Sequence, residues 1–367
     1  MQQEGNELTN LGGKNSVVFS RWSLYIAVFG LIGALVLMLD SAPYENITQD
    51  FTTDHSNRSG ALIMPTKVSS PRGLMIFVHG DGAMGRSAFG YYYPLWQRLA
   101  KEGIASYSWD KAGVGGSEGN WLEQNMQSRA NEILDVVIML RKQPRFKDIP
   151  IGLIGFSQAG WVMPKALKES SELSFAVFVS TPINWLKQSE FLTQTRLKRA
   201  GITGKSKSEK MKHAQDVSKL IAEGAKYDTY LDFLERTAPN AVESAMNKSR
   251  YQFVQKNINV DSELELREIH QPLFVAFGNH DVNINVANNA AHFERIFTQN
   301  PAQLKLKTYQ NADHTLLKNS EFGHLTPSLW WLIKVSLWEE DGFSERFVDD
   351  VMSWLNLQIT KLSQHAQ

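Results

Sequence analysis

Cysteine is absent from all 367 residues, which excludes disulfides, thiolate metal sites and a cysteine nucleophile. Net charge is absent too. The 38 Lys and Arg balance the 38 Asp and Glu, so no overall field draws the chain to nucleic acid. There is no internal repeat, no low-complexity tract and no Walker A motif, and nothing calls for a cofactor or a metal. What is present reads as globular. Hydrophobic residues make up 43% and charged residues 21%, enough apolar side chain for one large core or two ordinary ones.

One segment departs from that pattern. Trp22 to Leu39 reads WSLYIAVFGLIGALVLML without a charge. At about 1.5 Å per residue, roughly 20 such residues cross a hydrocarbon core of about 30 Å. A core helix would show a polar face, and this run has none. A cleaved signal peptide competes, but cleavage after Ala42 would put Asp40 and Pro43 where small residues are wanted. The expectation is an uncleaved anchor over 17–39 behind a tail at 1–16. Lys14 and Arg21 precede the uncharged run at 22–39, and Asp40, Glu45, Asp50 and Asp54 follow it. The positive-inside rule then leaves the amino terminus cytoplasmic and the large domain outside, at a bacterial inner membrane facing the periplasm.

After a polar linker, short apolar runs alternate with helical patterns, as βαβ units with a mainly parallel sheet do. The expected strands are Leu74–Val78, Ile104–Trp109, Ile151–Ile154, Phe175–Val179 and Leu273–Phe277, all nearly continuous in apolar residues. Leu304–Tyr309 alternates instead, which suits a half-exposed edge. Met126, Ala130, Ile133, Val137 and Leu140 mark an amphipathic crossover, and 347–360 reads the same way. Between about Trp185 and Ile269 the alternation stops, and the pattern is polar and helical. The expected organisation is a core at 40–184 and 270–367 with a helical cap at 185–269. The cap's first half is rich in lysine and arginine, and a solvated helix face explains such a run most simply. The cluster Leu329-Trp330-Trp331-Leu332-Ile333 with Leu337 and Trp338 fits buried core beside the last helix, or a belt at a membrane surface.

The chemistry concentrates at strand ends. Ile151 to Trp161 runs IGLIGFSQAGW, a buried strand, a turn carrying Ser157, then a helix pattern. A serine at such a turn is held in a strained conformation with its hydroxyl exposed, and the residues two before and two after must be small. Gly155 meets that and Ala159 nearly does. Upstream, Leu74–Val78 ends in His79-Gly80-Asp81-Gly82. Glycines there let backbone N–H groups face a site, so the N–H groups of Asp81 and Gln158 form the candidate oxyanion hole. Asp281 follows the strand at Leu273, and His314 follows the strand at Leu304. Ser157, Asp281 and His314 therefore stand in the chain order of a serine hydrolase triad. Serine needs a base to take its proton, and the base needs a carboxylate to fix its tautomer. Asp110 has a loop-holding reading in a glycine-rich turn, and Asp313 adjoins the histidine it would have to orient. His55, His213, His270, His292, His324 and His365 are read as structural.

With those motifs in view, the chain from about Asn46 onward resembles the α/β-hydrolase superfamily, and within it the capped bacterial serine esterases and dienelactone-hydrolase-like enzymes. Asp110 to Gly119 (DKAGVGGSEG) is similar to the family's loop after its fourth strand, and GFSQAGWVMP to its nucleophile region. The departures are Ala159 in place of a glycine and Pro164 early in the helix. The resemblance implies an α/β-hydrolase fold with helices on both faces of the sheet and a small-molecule ester or acyl substrate; oligomeric state is not legible. Thioesterase and serine peptidase chemistry remain open. Two other readings compete. Gly278-Asn279-His280-Asp281 also spells a metallophosphoesterase signature, but no D-x-H occurs and Gly323-His324-Leu325-Thr326 lacks a second histidine. A non-catalytic, membrane-tethered binding module with the same fold is the other.

Overall fold

The structure, a computed structural model, describes residues 42–53, 56–323 and 328–365. The expected tail and membrane span at 1–39 lie outside the described residues, as do His55 and His324. Among the described residues no helix is long and apolar enough to cross a membrane.

Eight strands make one sheet. They are β1 (Tyr44–Thr48), β2 (Gly60–Pro65), β3 (Gly73–Val78), β4 (Ile104–Trp109), β5 (Ile151–Phe156), β6 (Leu173–Val179), β7 (Leu273–Gly278) and β8 (Leu304–Tyr309). Their order is β1-β2-β4-β3-β5-β6-β7-β8. Strand β2 is antiparallel to both neighbours, and all pairs from β4 to β8 are parallel. The continuous apolar runs become strands buried on both faces, as parallel strands under helices must be. Strand β8 closes one end of the sheet, and its alternation of lysines with Leu304 and Leu306 is that of an edge. Sequence reading passes over β1 and β2. Strand β1 (YENIT) is mostly polar and exposed, so its sequence is that of a linker. Strand β5 also runs two residues past Ile154, because pairing with β6 continues through Gly155 and Phe156. That extension carries the chain to the edge of the site.

Helices cover both faces. On one face α2 (Met126–Arg141) and α3 (Met163–Glu169) pack through Ala130, Ile133, Val137, Met163 and Leu167. On the other α1 (Tyr93–Lys101) packs through Leu95, Trp96 and Leu99. Helix α2 starts at a capping box in which Asn125 and Ser128 satisfy each other's backbone N–H groups.

Between β6 and β7 the chain is helical: α4 (Trp185–Arg199), α5 (Gly204–Ala222), α6 (Tyr227–Thr237), α7 (Lys248–Asn257) and α8 (Glu263–Glu268). The insertion leaves and re-enters through a narrow neck, where the N–H of Trp185 donates to Val260 and that of Ser262 to Ile183, both at 3.0 Å. On α5 the lysines face solvent and pair one turn along, Lys212 with Asp216 and Lys219 with Glu223. Such pairs are worth a few tenths of a kcal/mol. After α9 (Val286–Ile296) and β8 come α10 (Asn319–Phe322), α11 (Leu329–Trp338) and α12 (Phe347–His365). Phe347, Val351, Leu355 and Ile359 seat α12 on the sheet. The aromatic cluster divides: Trp331 and Val335 are buried, whereas Leu329, Trp330, Ile333 and Leu337 form an exposed apolar face of α11.

Candidate active site

Ser157 stands at the end of β5 with φ +50°, a left-handed conformation that costs a non-glycine residue about 1 to 3 kcal/mol. The turn Ser157–Trp161 follows directly. A Cβ on Gly155 would lie 2.7 Å from the Ala159 Cβ, so one of the two must be glycine. That explains why Ala159 is tolerated. The next residue is tighter: a Cβ on Gly160 would lie 2.7 Å from both the Pro182 carbonyl and the Thr181 Cβ. At the start of this turn the N–H of Gln158 has no intrahelical acceptor and is available to a ligand.

Asp281 and His314 are brought together. His314 Nδ1 donates to Asp281 Oδ2 at 2.7 Å, and the carboxylate is fully buried. Asp281 Oδ1 accepts the N–H groups of Asn283 and Ile284 at 2.8 and 2.9 Å. Burial works against the imidazolium, but the charge and hydrogen bond of Asp281 outweigh it and hold the His314 pKa above the ordinary histidine value. Ser157 and His314 line the same cavity, although no direct hydrogen bond joins them. Such bonds often tighten only when substrate binds.

The other carboxylates are engaged elsewhere. Asp110 accepts from the N–H and guanidinium of Arg86 and from the N–H of Gly116, which ties down the loop after β4. Asp313 Oδ1 accepts from the N–H and hydroxyl of Thr315.

The turn His79–Gly82 meets the elbow directly, since a Cβ on Gly80 would stand 3.4 Å from the Ser157 Cβ. Gly80, Gly82 and Gly85 have the GxGxxG spacing of a turn that can cradle phosphate. No helix opens there to receive a phosphate, because α1 begins only at Tyr93. His79 is buried. Its Nε2 donates to the Trp109 carbonyl at 2.6 Å and its Nδ1 accepts from the Tyr92 hydroxyl at 3.0 Å. Burial lowers its pKa to about 3, so it is neutral.

The Asp81 side chain reaches to the insertion, where Arg250 of α7 grips it with two bonds of 3.1 and 2.7 Å. Burial opposes its charge, but Arg250 and then Lys111 more than offset this and hold the carboxyl below the usual range. Gln158 Nε2 donates to the same carboxylate at 3.0 Å, and Arg129 Nη1 donates to Gln158 Oε1 at 2.6 Å.

Above the serine lies a cavity of about 700 Å³ between sheet and insertion. Its walls are mostly apolar: the stacked pair Trp161 and Trp185, Leu192 of α4, Val217 and Ile221 of α5, and Val254 of α7. His213, read as structural, also lines it, bonded to the Thr237 hydroxyl. Arg129, Arg250 and Lys111 were missed. The one available signal was Arg129, a charge on the apolar stripe of α2 beside Ala130.

This sheet and its strained serine turn, with the acid and the histidine beyond the ends of β7 and β8, define a hydrolase of the α/β-hydrolase fold and serine-hydrolase type. Residues 69–321 match the family model for serine aminopeptidase, S33, and the chain belongs to that family. Among solved structures, the Pyrococcus furiosus esterase Pf2001 is similar at 18% identity and TM-score 0.53, covering 83% of this chain and 94% of that one. A proline iminopeptidase of Mycobacterium smegmatis is similar at 14% identity and TM-score 0.53, covering 86% and 99%. Est1E of Butyrivibrio proteoclasticus with ferulic acid bound is similar at 16% identity and TM-score 0.51, covering 87% and 100%. At these identities the likeness is one of fold. Among curated proteins none matches the chain.

Proposed function

We propose that this chain hydrolyses a carboxylic ester or thioester through an acyl-enzyme on Ser157. The observation that carries the reading is the buried Asp281–His314 pair opening on the cavity that Ser157 also lines. Ser157 Oγ attacks the acyl carbonyl as His314 Nε2 takes its proton. The N–H groups of Asp81 and Gln158 receive the oxyanion. Collapse expels the alcohol or thiol, which takes the proton from His314, and a water repeats the cycle to release the acid.

An ester fits the cavity better than an aminoacyl amide. An aminopeptidase must hold the substrate's α-ammonium, which calls for a free carboxylate. Among the described residues lining the cavity, Asp81 is the sole carboxylate, and Arg250 already neutralises it. The aromatic and aliphatic walls suit a bulky apolar acyl group. A panel of aryl esters graded by acyl size, set beside aminoacyl arylamides with free amines, checks this. The expected result is hydrolysis of the esters, rising with acyl size until the cavity is full. Preference for the free-amine amides would overturn it.

The same proposal tethers the enzyme by the span at 17–39, with the hydrolase domain outside the cytoplasm. The uncharged run and its basic flank support this, and the exposed apolar face of α11 is compatible with a lipid boundary. A reporter active only outside the cytoplasm, fused after Gln367, should be active, and protease added to spheroplasts should digest the domain. An inactive reporter on a protease-protected domain would reverse the orientation.

A further inference from the structure

The turn after β3 is held from behind by buried cations that the proposed reaction does not consume. Lys111 is 2% exposed. Its ammonium donates to the carbonyls of Gly80 at 3.1 Å and Gly82 at 2.8 Å, and it lies 4.8 Å from the centre of the Trp121 ring. Arg129, also buried, donates to the carbonyl of His79 at 2.7 Å. The backbone of Lys111 is itself pinned, since its N–H donates to the Met84 carbonyl at 3.0 Å. Putting an ammonium so deep in the protein is costly, and burial drives its pKa well below the ordinary lysine value.

The geometry of the peptide unit shows what this arrangement achieves. In a trans peptide the C=O and N–H point in opposite directions. The carbonyl of Gly80 shares its peptide plane with the N–H of Asp81. A cation that fixes the carbonyl therefore turns that N–H to the opposite side. Asp81 lines the cavity with Ser157, and Gly80 packs against the elbow. A hydrogen bond donated to that oxygen also polarises the amide and makes its N–H a better donor.

We propose that Lys111 is the positioning residue of the oxyanion hole: by holding the Gly80 carbonyl it aims and strengthens the Asp81 N–H that receives the oxyanion. The proposal rests on the serine-hydrolase reading above, and the experiment separates the two. Fluorophosphonate labelling of the full-length wild type comes first, and failure to label sinks the hydrolase reading itself. With a labelled wild type, Lys111→Met keeps an unbranched stem against Trp121 and deletes both carbonyl bonds. Loss of a whole oxyanion donor costs about 10² to 10³ in turnover, so loss of its aim is expected to cost about 10- to 100-fold. Affinity for a boronic acid that forms a tetrahedral adduct on Ser157 should fall in parallel. Affinity for an uncharged, unreactive ether analogue of the substrate should stay within about twofold, because no oxygen of that ligand carries the charge of an oxyanion. Lys111→Gln retains one neutral donor and should fall between, and it carries the test alone if the methionine variant does not fold. A folded variant with turnover within about twofold of wild type would overturn the proposal. So would equal losses of boronate and ether affinity, or failure of both variants to fold, since each marks Lys111 as merely structural.

Discussion

Ser157→Ala is expected to lower ester turnover by about 10⁴ to 10⁶ while leaving the protein folded. The fold should survive because the turn is shaped by its neighbours. Gly155 admits Ala159, and Gly160 lies against Thr181 and Pro182, whichever residue occupies position 157. Alanine carries the same Cβ into φ +50° as serine does, so backbone strain is unchanged. The loss is chemical. Without Oγ, no covalent intermediate forms, and water must attack without the relay through His314. What remains is the cavity and the oxyanion donors, which elsewhere keep about 10³ to 10⁴ over the uncatalysed reaction. Turnover of an aryl ester, read beside a thermal melt of the same preparation, checks both halves. Retention of more than a tenth of wild-type activity in a folded protein would remove Ser157 from its role. A binding module that kept only the fold would already fail at wild type, taking no fluorophosphonate label.

Whether a feature is legible in the sequence depends on what that feature needs. Strands β3 to β7 are legible because a strand buried on both faces must be apolar at nearly every residue. Strand β1 is not, since an antiparallel edge strand needs only one dry face and YENIT scarcely has that. Ser157, Asp281 and His314 are legible because each follows its own strand, and the sheet brings such ends together whatever their separation in sequence. The cations around the His79–Gly82 turn have no such marker. Lys111, Arg129 and Arg250 come from the loop after β4, the first turn of α2 and the inserted α7, and only the assembled fold brings them to one turn. Composition also hides the cavity. Leu192, Val217 and Val254 sit on helices that look surface-like in isolation, and their shared face appears only when the insertion closes over the sheet.

Asp281→Asn is expected to cut turnover by up to about 10⁴ with the fold retained, and the hydrogen bonds show why an amide cannot substitute. The Asp281 Oδ1 atom accepts two backbone N–H groups, from Asn283 and Ile284, while Oδ2 accepts from His314 Nδ1. An asparagine has one oxygen, and the two backbone donors claim it, because an NH₂ group there would face both of them donor to donor. Its NH₂ then points at His314 Nδ1, which must become an acceptor. The ring proton moves to Nε2, the atom that has to take the Ser157 proton, and the base is blocked. A pH profile gives a second readout. Asp281 raises the His314 pKa against the opposing effect of burial, and His314 works as a base only when neutral. The acidic limb of kcat/KM should therefore have its midpoint above the free-histidine value of about 6.5. In Asp281→Asn the residual activity should show that limb moved to lower pH, since the charge that favoured the imidazolium is gone. Asp110→Asn is the matched control. That carboxylate serves Arg86 and Gly116, so its loss should lower the melting temperature and leave the acidic limb in place. If Asp110→Asn abolishes turnover in a folded protein while Asp281→Asn does not, the acid of this site is Asp110, and the triad of Ser157, Asp281 and His314 fails.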